Sequence, residues 1–169
     1  DDTSKDVAGN SLYVYKSIPT VSLVTLPDSK LTAGTKTLSK FEVNADKSSP
    51  IALGKIAFEV ANTADVALST FELYDSNNNK VVDCTGTTSG TTTVSCVLTT
   101  EQEIAAGSSK VYELRATVAA AASATLKDQY VTTKILGDTE HVNSTYSNVV
   151  KTSTAGDADD ANFIWSDMS

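Results

Sequence analysis

The chain has 169 residues and a formal net charge of −8, a length that suits one domain, or one domain with tails, and is ample for a buried core. Its acidic balance, without a basic patch interleaved with aromatics, argues against nucleic-acid partners and against an anionic membrane surface. No run approaches the roughly 18 apolar residues of a membrane span, so no membrane insertion is expected. Serine and threonine make up about a quarter of the chain, well above an ordinary globular share, and valine is plentiful, a composition that fits pleated strands with polar outer faces.

Residues 1–10, "DDTSKDVAGN", read as an acidic lead without the charged-then-apolar pattern of a secretion signal, as expected of a processed chain. The N-terminal hydrophobic helix of a type IV pilin is also missing. The stretch from Ser11 to Pro27, "SLYVYKSIPTVSLVTLP", is apolar and β-prone. Leu12 and Val14 share one parity, Val21 and Leu23 the other, and Pro19 sits between them. Proline donates no ladder hydrogen bond, so a strand here is kinked or lies at an edge. Pro27-Asp28 reads as a turn. A strand follows with Phe41, Val43 and Ala45 on one face. "PIALGKIAFEVANT" (Pro50–Thr63) alternates strictly, with Ile56, Phe58 and Val60 inward and Lys55, Ala57 and Glu59 outward.

"LSTFELYDSNNNKVVDC" (Leu68–Cys84) reads as a hairpin: Phe71 and Leu73 alternate, "DSNNN" turns, and Val81-Val82 return. Val94, Cys96 and Leu98 share a face of the next strand. "EIAAGSSKVYELRATVAA" (Glu103–Ala120) is the most regular strand, with Tyr112, Leu114, Ala116 and Val118 inward. "AAAASA" (Ala119–Ala124) is too short and uncapped for a helix and reads as loop or strand extension. "QYVTTKIL" and "STYSNVVKTS" are further strands, "TAGDADDAN" is an acidic link, and "NFIWSD" is a last short strand carrying Trp165. About eight to ten short strands with turn signals between them predict an all-β sandwich or barrel.

Cys84 and Cys96 bracket "TGTTSGTTTVS", a run of small turn and strand formers that brings the thiols together. A metal or redox pair would need further ligands or a C-x-x-C spacing, so a disulfide is expected, and with it an extracellular or cell-surface location. Asp75, Asn77 and Asn79 resemble the start of a calcium loop, but the glycine and the distant glutamate are missing, and asparagine-rich turns need no metal. Asp138, Glu140, His141, Asp157, Asp159 and Asp160 read as solvated acidic loops. Asn143 heads an N-S-T glycosylation sequon. Tyr13, Tyr15, Tyr74, Tyr130 and Tyr146 supply either core packing or a sugar-stacking platform. Lys40 and Lys55 stand on strands where some surface sandwiches form isopeptide bonds. There is no G-x-S-x-G elbow, P-loop or H-E-x-x-H, and no carboxylate pair stands out, so no catalytic residue, cofactor or enzymatic role is expected.

"LTAGTKTLSKFEV", "IALGKIAFEV", "IAAGSSKVYELRATV" and "NFIWSDMS" resemble the immunoglobulin-like β-sandwich modules of bacterial cell-surface proteins, especially those of candidate-phyla bacteria. The similarity covers roughly residues 17–169 and rests on the K-x-Y-x-L-x-A-x-V strand at Lys110–Val118 and the closing W-S-D strand at Trp165–Asp167. It implies an immunoglobulin-like fold and a surface setting, and says little about activity.

The expected organisation is an acidic lead and donor strand over residues 1–18, and a sandwich over 19–169. Either the opening stretch completes its own sheet, or it is donated to a neighbouring copy. Donation makes the chain a self-assembling subunit of an extracellular filament or surface layer, with Leu12, Val14, Ile18, Val21 and Leu23 as the pocket-filling residues. The alternative is a carbohydrate-binding or adhesive module with surface glycans as partners, which a solvent-facing row of aromatics would favour.

Overall fold

The computed structural model describes residues 15–26, 28–87, 90–120, 126, 128–137 and 162–168. The described residues form an all-β sandwich of nine strands: β1 (Thr20–Leu23), β2 (Gly34–Asn44), β3 (Ile51–Asn62), β4 (Val66–Asp75), β5 (Lys80–Asp83), β6 (Thr91–Ile104), β7 (Ser109–Ala120), β8 (Val131–Ile135) and β9 (Phe163–Asp167). One antiparallel sheet has the order β1-β2-β7-β4-β5. The other runs β6-β3-β8, with β9 also on β3. β9 pairs with Ile51–Ile56 and β8 with Phe58–Asn62, so the two share the edge of β3 that faces away from β6. The strand expected over "STYSNVVKTS" and the acidic loops at 138–161 lie outside the described residues.

Alternation explains the core. Phe41 and Val43 of β2, and Tyr112, Leu114, Ala116 and Val118 of β7, are all buried, and they face Ile56, Phe58 and Val60 of β3 across the sandwich. The Phe41 ring lies 5.6 Å from Phe58 and 5.7 Å from Tyr112, centroid to centroid. Two bulges extend this pattern beyond what alternation alone predicts. On β3 the register with both neighbours shifts between Leu53 and Lys55, so Ile51 and Leu53 face the core on one parity and Ile56, Phe58 and Val60 on the other. A single extra residue, Gly54, absorbs the change of phase. On β4 the shift falls between Ser69 and Glu72, where Thr70 adopts φ 53°, and the buried set switches from Val66 and Leu68 to Phe71 and Leu73.

Lys55 and Ala57 do not face solvent as their parity predicts; both are buried. Ala57 sits where the chain leaves β8 and enters β9: its N–H donates to the Asn162 carbonyl at 2.7 Å and its carbonyl accepts from the Leu136 N–H at 2.9 Å. Lys55 follows the bulge at the β9 pairing.

One side of the sandwich is sealed. Cys84, just past β5, is disulfide-bonded to Cys96 of β6. Beside it Thr85 and Ser95 exchange backbone hydrogen bonds at 2.8 and 2.7 Å, joining the edge of the first sheet to the edge of the second. The twelve-residue separation closes a loop whose restriction of the unfolded chain stabilises the fold by about 3 kcal/mol. A Cys84→Ala/Cys96→Ala variant is expected to lose about that much in denaturant titration.

Tyr112 is fully buried, and its hydroxyl has no hydrogen-bond partner among the described residues. Burial first, and the nearby Asp75 charge second, push its pKa up to about 12 from an ordinary 10.0. The unfolded chain therefore gives up this proton before the folded one does. Stability from this group is intact below the unfolded value and is lost as pH climbs toward the folded value. Tyr112→Phe should leave stability unchanged at neutral pH, or raise it by up to about 1 kcal/mol. It should also make the loss of stability across this alkaline window shallower, as read by urea midpoints measured against pH.

Candidate functional site

The side opposite the disulfide is open. Val21 and Leu23 of β1 pair with Val43 and Phe41 of β2. Residues directly opposite each other on antiparallel strands share a face, so Val21 and Leu23 point inward with the core. Val43 and Phe41 are buried completely, yet Val21 is 39% and Leu23 is 73% exposed. Among the described residues, no strand of the second sheet covers them. Between β1 and the β8–β9 edge lies a cleft of about 580 Å³. Ile18, Val21 and Leu23 line one wall; Ile135, Phe163 and Trp165 line the other. Among the described residues, no strand pairs with the outer edge of β1, β8 or β9.

A short strap crosses the lower end of this seam. Tyr15 packs on Trp165, with ring centroids 5.2 Å apart. The Lys16 N–H donates to the Asp167 carboxylate at 2.8 Å, and the Asp46 N–H donates to the Ser17 hydroxyl at 3.1 Å. The chain then passes Ile18 and Pro19 into β1. Residues 15–17, read from sequence as part of the candidate donor strand, thus dock on the sandwich, and Pro19 stands just before an edge strand.

The structure brings three of the five expected strand-donor residues, Ile18, Val21 and Leu23, to one seam. Val21 and Leu23 lie in β1, hydrogen-bonded within the chain's own sheet. Leu12, Val14 and the sequon at Asn143 lie outside the described residues, as do Tyr13 and Tyr146. The far wall, Ile135 and Phe163, was not singled out from sequence. Its signal was the same alternation that marks any half-buried strand, and nothing in that alternation distinguishes a covered edge from an open one.

The other candidates resolve as local structure. Asp75 closes the β4–β5 turn: its carboxylate accepts from the backbone N–H groups of Asn77 and Asn79 at 2.9 and 2.8 Å and from the Asn79 side-chain amide at 3.1 Å. These bonds, the Asn79 backbone N–H foremost, hold its pKa below the usual carboxylate value. Asn78 takes φ 65°, the left-handed conformation asparagine tolerates. Among the described residues, no three His, Cys, Asp or Glu side chains are grouped to hold a metal ion. Lys40 is ion-paired with Glu113 at 3.1 Å. Arg115 lies over the Tyr74 ring at 4.2 Å, and of the described tyrosines only Tyr130 is strongly exposed. Tyr130 lines a second, smaller cleft of about 410 Å³ with Leu31, Leu38 and Val131.

A scan against protein-family models and a search of curated proteins find no match to this chain. The seam is therefore read from its own geometry. Trp165 is the one tryptophan of the chain and reports on the strap. Tyr15→Ala should cost about 1–3 kcal/mol, from lost burial and the aromatic contact, and should red-shift the tryptophan emission. An unshifted spectrum would mean that the strap does not rest on Trp165.

Proposed function

We propose that this chain is a structural, non-catalytic subunit of an extracellular filament or surface layer, and that copies join head to tail by β-strand donation. The observation that carries this reading is the seam: inward-facing apolar side chains exposed between two sheet edges with which no described strand pairs. An extended segment laid there gains main-chain hydrogen bonds from the edges and pockets for alternate side chains. A contact between unlike surfaces repeats without closing, which gives a filament. The immunoglobulin-like assignment agrees with two packed antiparallel sheets, and the disulfide agrees with an oxidising compartment.

Electron microscopy of the purified chain, beside a variant lacking residues 1–14, tests the reading. This truncation keeps Tyr15 and Ser17, whose contacts reach Trp165 and Asp46. Filaments from the full chain and none from the truncated one are expected. Dispersed single particles from both, across the concentration range, would remove strand donation.

A further inference from the structure

We infer that β1 is a self-pairing edge: β1 of one copy lies antiparallel beside β1 of a second copy, about a two-fold axis through Ser22, and joins two five-stranded sheets into one. This goes beyond strand donation, since the strand that takes the edge is β1 itself.

The hydrogen bonds of β1 fix which backbone groups it offers. The Val24 N–H donates to the Lys40 carbonyl at 2.8 Å. The register of β1 on β2 continues that phase to Ser22–Glu42 and Thr20–Asn44. In an antiparallel ladder such residues turn both backbone groups toward their partner, and the residues between them turn theirs away. Val21 and Leu23 therefore present N–H and C=O at the outer edge of β1, with which no described strand pairs.

That edge matches itself best in one register. Centred on Ser22, Val21 of each copy meets Leu23 of the other, and each such pair exchanges both N–H···O bonds. Centred on Val21, Leu23 meets Pro19, which has no N–H to give the Leu23 carbonyl. Centred on Leu23, Val21 meets Thr25, beyond the end of β1. The Ser22 register also sets the side chains of Val21 and Leu23 against each other on the inner face, where they are 39% and 73% exposed in the single chain.

Charge and room agree with this contact. The chain carries a net charge of −8, so its copies repel each other over most of their surface. Residues 17–26 carry no charge, so two copies approach here without that penalty. Among the described residues, no strand of the second sheet lies opposite β1, which leaves space for a second copy at this edge. Ile18, Val21 and Leu23 of both copies then line one apolar trough.

Ser22 supplies the test. It is exposed, it lies on the outer face of the sheet, and the two-fold brings it opposite itself as a non-hydrogen-bonded pair. The Cα atoms of such a pair sit about 4.5 Å apart, within disulfide reach. The native cysteines are disulfide-bonded and no free cysteine is present, so a new one is the single thiol. Ser22→Cys in the full chain is expected to form a covalent dimer on mild oxidation several-fold faster than Thr20→Cys, which shares its face but meets Val24 of the other copy. Equal rates, or no covalent dimer, would overturn the proposal. Sedimentation equilibrium of the unaltered chain should show a dimer at high concentration. Leu23→Lys places a charge opposite Val21 and should raise the dissociation constant about tenfold or more. Leu23 is mostly exposed, so this variant keeps the core intact. A chain that stays monomeric throughout, or a variant that dimerises as readily as the unaltered chain, would also overturn it. Both measurements read dispersed chains, so their failure removes β1 pairing and leaves strand donation to be decided by microscopy.

Discussion

Among the described residues, a five-stranded sheet faces a sheet three strands wide. β8 and β9 lie end to end along β3, so together they fill a single strand position. Strands sit about 4.8 Å apart within a sheet. The first sheet therefore overhangs the second by roughly two strand widths. On one side the overhang is drawn in: β5 bends to β6 through the disulfide and the Thr85–Ser95 bridge. That leaves the excess at β1, where no described strand of the second sheet lies opposite Val21 and Leu23.

This mismatch makes β1 unlike the other strands. Its four residues are all exposed, and it holds to β2 along one edge only. The core does not depend on it, because Phe41, Phe58 and Tyr112 lie deeper, on central strands. An edge strand with inward apolar residues and little burial is what negative design usually removes with charge or proline. Pro19 stands before the strand, but β1 itself, "TVSL", carries no charge. The edge is left able to accept a strand.

Sequence alternation located the strands and most of the core, because period-2 burial is a local property. Phe41, Val43, Tyr112 and Leu114 were legible on that ground, and the Cys84–Cys96 bond followed from spacing and the small residues between. The turn at Asp75 was legible too, since asparagine's tolerance of left-handed backbone is intrinsic. Three features were not. Ile51 and Leu53 change phase at a bulge, and a glycine inside a strand does not say which way the phase will move. Ala57 is buried against its parity, beside the point where β8 and β9 meet on β3. The seam depends on the two sheets having unequal widths, which is a property of strand pairing and not of any one strand. The change of parity around Pro19 was visible, but its meaning depended on a strap that crosses from one sheet edge to the other.

Filling the seam from the same chain or from a neighbour makes the same contacts, so contact energy alone does not choose between them. Tethering does. A segment joined through a short strap meets its own seam at an effective concentration on the order of millimolar. A free neighbour matches that only when copies are packed to a similar density, as they are in a surface layer or at a growing filament end. A strand already laid between β1 and the β8–β9 edge must break main-chain hydrogen bonds along its length to leave, so its release is slow. Among the described residues, the unequal sheets leave the seam uncovered, and the Tyr15–Ser17 strap crosses its end.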